Sequence, residues 1–286
     1  MAVDDSLGLE AAVGLSGLAR MVENVRMVDI LTKLQAVEVA YRSLVLGSGK
    51  CIDPVALVRK CLDQGSLEKA AGELYQLELF CKHLNDVRGA RTDVFDELTR
   101  RLQQCAQPDN YYGLRMETRI ASSLVRKGLV FELRERPDFS IDGDSLFIEC
   151  GSVWPDTSDP AKDYRARVTS AIEAKNRKRY ATYKTILALE NTSVIAAMVD
   201  HGKLEDDTDF HAFLSHLANR MDFGSVLLFS TVYSHRTFQI SSTYNRMDSP
   251  SIDETLLAFL ERFFPRLDIR VDLPFVPGQA WQPHLS

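Results

Sequence analysis

Two carboxylates stand where strand pairing can join them. Asp138 opens the stretch DFSI directly after Pro137, and Glu149 lies in SLFIEC. Between the two stretches sits Asp142-Gly143, the strongest short hairpin signal a sequence can carry. Alternation along the second stretch sends Leu146, Ile148 and Cys150 to one face and Phe147, Glu149 and Gly151 to the other. Glu149 therefore stands on an apolar strand and needs a partner. Two carboxylates about 4 Å apart repel by about 4 kcal/mol at an effective dielectric near 20, which raises one pKa unless a cation compensates. Mg²⁺ suits the task, since it takes a few carboxylates and fills its other positions with waters and phosphate oxygens. The chemistry this predicts is water activation and charge neutralisation at a phosphodiester.

Charge is distributed unevenly. The chain carries 34 Lys+Arg against 40 Asp+Glu, a net −6, which excludes a polycation coating nucleic acid or anionic lipid. Between residues 162 and 184, however, Lys162, Arg165, Arg167, Lys175, Arg177, Lys178, Arg179 and Lys184 face only Asp163 and Glu173. A local basic stretch beside an acidic metal site is what binding a phosphate backbone requires. Tyr164, Tyr180 and Tyr183 in that stretch could stack on bases or simply pack.

Other constellations lead nowhere. Gly49-Lys50 lacks the earlier Gly of a phosphate loop, and Cys51 replaces its Ser/Thr. His211 and His216 do not share a helical face or the HExxH spacing. The acids Glu205, Asp206, Asp207 and Asp209 do not follow the calcium-loop pattern and read as a helix N-terminal cluster. Trp154-Pro155 reads as a loop, and neither GxSxG nor GxGxxG occurs.

The elements that must position these residues fall into two regions. From residue 6 to about 105 apolar residues recur at helical spacing: Leu31, Leu34, Val37, Val39 and Leu44, then Leu67, Leu74, Leu77 and Leu79, then Val94, Leu98 and Leu102. Breaks are expected at Gly47-Ser48-Gly49, at Gly65 before Ser66, and from Asn85-Asp86 to Gly89, giving roughly four helices. After Pro108 the expected order is a helix over 112–127 ending at Gly128, strands LVFELRE, DFSI and SLFIEC, and a basic helix over 165–182. Strand TILALE, a helix near 208–221, strand SVLLFSTVY and a last helix around 253–264 follow. The expected class is α/β: a helical region (1–107), a mixed sheet flanked by helices (108–270) and a Pro-containing tail (271–286).

Composition agrees with a globular chain, at 45% apolar and 26% charged residues over 286 positions. The five cysteines show no CxxC pair or dense disulfide frame, so free thiols in a reducing cytoplasm are expected. The N-terminus carries two Asp where a secretory signal carries Lys or Arg, and no run of about 18 apolar residues occurs. No membrane association is expected.

The segment GLRMETRIASSLVRKGLVFELRERPDFSIDGDSLFIECGS resembles the core of the PD-(D/E)XK nuclease superfamily, the restriction-endonuclease-like fold, across roughly residues 110–235. Pro137-Asp138 matches the "PD", Glu149 the acid of the third strand, and Glu117 the carboxylate that many members carry on the first helix. Gly151 stands where the motif has Lys. Some members bring that amine from the following helix, and here Lys175 is the first candidate and Lys178 the second, with Gly151 leaving room for a long side chain. The resemblance implies Mg²⁺, or Mn²⁺ in its place, on Asp138 and Glu149, with Glu117 assisting and Lys175 orienting the nucleophile. Arg165, Arg167, Arg177, Lys178 and Arg179 would meet the nucleic acid, DNA or RNA. The implied activity is phosphodiester hydrolysis. The alternative is the same fold retained without catalysis, binding nucleic acid or, through its helical region, a protein partner.

Overall fold

The computed structural model describes residues 30–45, 53–65, 67–105, 108–153, 164–194, 207–233 and 240–266. Gly47-Ser48-Gly49, Ser66, Trp154-Pro155, Lys162, Asp163, Glu205, Asp206 and the tail 271–286 lie outside them. The helices are α1 (30–44), α2 (Pro54–Asp63), α3 (Leu67–Ala90), α4 (Thr92–Gln104), α5 (Pro108–Arg126), α6 (Tyr164–Asn176), α7 (Asp207–Ala218) and α8 (Glu254–Phe263). The strands are β1 (Phe131–Leu133), β2 (Phe139–Ile141), β3 (Leu146–Ser152), β4 (Thr185–Glu190), β5 (Ser225–Tyr233) and β6 (Ile240–Asp248). They form one mixed α/β sheet in the order β1-β2-β3-β4-β5-β6, antiparallel at both ends and parallel for β3-β4-β5.

Helix α5 forms because Met116, Ile120 and Leu124 make one buried stripe. It stops in a Schellman arrangement: Gly128 takes φ +68°, its N–H donates to the Val125 carbonyl, and the Leu129 N–H donates to that of Leu124. The β2–β3 hairpin turns over residues 142–145, with Asp142, Gly143 and Asp144 all left-handed, a wider turn than a two-residue hairpin.

Alternation sorts the sheet's residues between two cores. Ile148, Cys150, Ile186, Ala188, Leu227 and Phe229 pack with α5, α8 and the N-terminal helices in a core that runs without a break from Ile30 to Phe264. Leu187, Leu189, Val226 and Leu228 pack on the other face with Val168 and Ile172 of α6 and Leu214 and Leu217 of α7. A buried ion pair joins α5 to β4: Arg115 Nη2 lies 2.9 and 3.0 Å from the two oxygens of Glu190.

Four expectations are corrected. Helix α3 runs straight through Asn85, Asp86 and Gly89, because Leu84 and Val87 pack in the core and Asp86 accepts a hydrogen bond from Ser122 of α5 at 2.7 Å. Helix α6 ends at Asn176, whose side-chain oxygen accepts the Asp222 N–H at 2.6 Å, so Arg177–Arg179 form a turn and not a helix face. Strand β6, ISSTYNRMD, carries almost no apolar pattern and forms by pairing antiparallel with β5. Leu31 and Val39 are exposed, while Leu34, Val37 and Leu44 carry the buried stripe of α1. Cys61, Cys81 and Cys150 are free thiols, Cys105 Sγ donates to the Arg101 carbonyl at 3.3 Å, and among the described residues no helix is long and apolar enough to cross a membrane.

Candidate active site

The β2–β3 ladder ends at Phe139, two residues after Pro137, which has no N–H to donate. Its last register pair is Phe139 with Ile148, leaving the Cys150 N–H beyond the ladder. The Asp138 side chain takes over, accepting the Cys150 N–H at Oδ2 over 2.7 Å. Asp138 is thereby fixed beside Glu149, and both acids are buried.

Glu149 faces α6, as strand alternation requires. Its Oε1 receives the Lys175 ammonium at 2.5 Å and the Tyr180 hydroxyl at 2.9 Å. Its Oε2 is buried and has no hydrogen-bond partner. Lys175 also donates to the Cys150 carbonyl at 3.2 Å. The route of its side chain passes Gly151, where an added Cβ would lie 3.6 Å from Lys175 Cε and 4.0 Å from its Nζ. The glycine slot therefore holds the amine supplied by the helix.

Glu117, on α5, is the third acid. Arg101 of α4 donates to it at 2.9 Å, and also donates to Glu97 at 2.9 Å and to the Arg134 carbonyl at 2.8 Å. Burial pushes Glu117 above the usual carboxylate range, with Arg101 opposing the shift. Asp138 is pushed well above that range by burial first, then by the charges of Glu117 and Glu149. The three acids share one field, and Lys175 and Arg101 offset part of it. Burial and then the Glu149 contact hold Tyr180 protonated, so it stays a donor.

A divalent cation fits this donor set in one respect: the orphaned Glu149 Oε2 is a buried oxygen that lacks a positive partner. Mg²⁺ needs only one or two carboxylates besides waters and phosphate oxygens, which Asp138 and Glu149 would supply. A complete cage is not preassembled, for among the described residues no group of three or more His, Cys, Asp and Glu side chains is arranged to hold a metal.

The expected basic patch divides in two. Arg177, Lys178 and Arg179 are exposed in the turn directly after Lys175, and none has an ion-pair partner among the described residues. Arg165 and Arg167 are half-buried near the start of α6, about 15 Å along the helix from Lys175, with Arg165 over the Phe213 ring at 5.8 Å. Tyr164 packs, its hydroxyl accepting from Asn191 at 2.9 Å. His216 is exposed. Sequence reasoning missed Arg101 altogether and left the role of Tyr180 open; the only signal for the latter was its place in the basic stretch. No protein-family model, curated protein or solved structure matches the chain.

Proposed function

We propose that this protein is a metal-dependent nuclease that hydrolyses nucleic-acid phosphodiester bonds at Asp138 and Glu149. The observation that carries the reading is the Lys175 ammonium seated on Glu149 through the gap at Gly151, which restores an amine beside the acids from a different element. When bound, Mg²⁺ or Mn²⁺ would lower the pKa of a coordinated water and neutralise charge on the scissile phosphate. The chain's own groups do the rest. Asp138 and Glu149 hold the cation, with Tyr180 fixing Glu149 by its Oε1 so that Oε2 stays available. Lys175 uses two N–H donors on Glu149 and Cys150, and its side chain is 32% exposed, so a third N–H is left to hold a phosphate oxygen or orient water. Arg101 balances Glu117, and Arg177, Lys178 and Arg179 meet the phosphate backbone.

The test is cleavage of single- and double-stranded DNA and RNA with Mg²⁺ or Mn²⁺ by purified wild type, Asp138→Asn and Glu149→Gln, with circular dichroism to check folding. Loss of cleavage in both variants supports the assignment. Wild-type rates in either remove it. A second reading is favoured by the protein cations that already sit on Glu149 and Glu117: a nuclease fold kept for binding alone. Salt-dependent binding with no cleavage by wild type would select it.

A further inference from the structure

The loop from residue 177 to 184 joins α6 to β4 and carries Arg177, Lys178, Arg179, Tyr183 and Lys184 facing solvent. Tyr183 is 45% exposed and is the one exposed Phe, Tyr or Trp ring among the described residues. Its backbone is held on several sides. The Tyr183 carbonyl accepts from the Asp253 N–H at 3.1 Å, the Thr182 carbonyl from Gly224 at 3.1 Å, and the Lys184 carbonyl from Phe147 at 3.1 Å. Gly224 is required for this approach, since a Cβ there would run into the Tyr183 carbonyl oxygen. From the same loop Tyr180 points inward to Glu149. One tyrosine of this loop therefore touches the acid while the other is exposed on the same loop as Arg177, Lys178 and Arg179.

The loop around this ring is basic at Arg177, Lys178, Arg179 and Lys184, with one acid facing it, Asp253 at the start of α8, whose Oδ2 lies 3.9 Å from Lys184 Nζ. Bases in a duplex have both faces stacked already, whereas an unpaired base offers a face to an aromatic side chain. We infer that Tyr183 is a stacking platform for an unpaired nucleobase, with Arg177 and Arg179 on the adjoining phosphates, so the substrate is single-stranded where it crosses this loop. The inference rests on the reading of the site as one that takes a nucleic-acid backbone. Because the loop is pinned to the sheet, little ordering is needed on binding.

Binding of labelled oligo-dT, oligo-U and a DNA duplex is measured with the full chain in EDTA, so that cleavage plays no part. Wild type binds the single strands more tightly than the duplex. Tyr183→Ala weakens single-strand binding about 10-fold, in line with the cost of losing one stacked base, and leaves the salt dependence unchanged. Tyr183→Phe binds as wild type does. Arg177→Gln with Arg179→Gln flattens the log-log salt slope by about 0.7 per lost contact. A Tyr183→Ala protein that binds single strands like wild type overturns the inference, as does equal loss on duplex and single strand, or no binding of any probe by wild type. Single-strand preference lost in Tyr183→Ala, in a wild type that does not cleave with Mg²⁺, supports the inference and removes only the nuclease reading.

Discussion

The ammonium of Lys175 lies 2.5 Å from Glu149 Oε1, and it arrives from α6 across the slot that Gly151 leaves open on β3. One element thus supplies the acid and another the amine, so either half can be altered without removing the other.

Lys175→Ala should lower cleavage by about 10²–10³-fold, the range found when one preorganised electrostatic donor is removed. Gly151→Lys in that background should recover part of the rate, because deleting Lys175 clears the space beside residue 151. In wild type the same change should help little, because the new chain competes with Lys175 for one place; Leu189 Cδ2, 3.0 Å from the added Cβ, must give way in both backgrounds. Single-turnover rates decide the matter, and a Lys175→Ala protein cleaving at the wild-type rate refutes the role.

Arg101 sits outside the sheet but holds Glu117. Replacing it with Met leaves a buried carboxylate without its cation, at an expected cost of about 1–3 kcal/mol in unfolding free energy. Adding Glu117→Gln should return most of that loss, since no charge then remains to be compensated. Urea unfolding of the two single variants and the double variant measures the coupling; simple additivity would show that the pair does not interact.

Asp138 is held well above the usual carboxylate range. The folded protein therefore keeps this proton to higher pH than the unfolded chain does. Stability from the protonated acid is full below the ordinary value of about 4 and is lost as pH rises toward the raised one. Without divalent metal, Asp138→Asn should melt above wild type at about pH 8, with the difference closing toward about pH 4. Millimolar Mg²⁺ should raise the melting temperature of wild type and leave that of the variant unchanged. Thermal melts across pH in EDTA and in Mg²⁺ check both statements.

His83 of α3 shows the opposite sign. Burial, and then the charges of Arg119 and Arg126, hold it down to about 3. It is folded in its neutral form, so its contribution is complete above its ordinary value of 6.5 and is lost as pH falls from there toward 3. His83→Leu should flatten the acid limb of the stability curve in that interval. A variant whose acid limb matches that of wild type would exclude His83 as a source of acid lability.

Local pattern was enough to define β4 and β5, which match TILALE and SVLLFSTVY residue for residue, and the end of α5 at Gly128. Those segments are dictated by short-range rules: apolar runs buried on both faces, and a left-handed position that only glycine takes cheaply. The same rules put Glu149 and Gly151 on one face of β3, whereas a lysine reaching in from the next helix, Lys175 before Lys178, was an expectation of the family resemblance and not of the alternation. Elsewhere distant contacts prevailed. The breakers at Asn85, Asp86 and Gly89 did not stop α3, because its long face is buried against α5 and that burial outweighs about 1 kcal/mol of glycine propensity. Helix α6 stops at Asn176 because Asp222, far along the chain, takes its side chain. Strand β6 exists because β5 offers an edge. Arg101 meets Glu117, and Tyr180 meets Glu149, only once the helical region and the α6–β4 loop are folded onto the sheet. Periodicity records which face of an element is buried; which charged groups face one another across two buried faces is decided by packing in three dimensions.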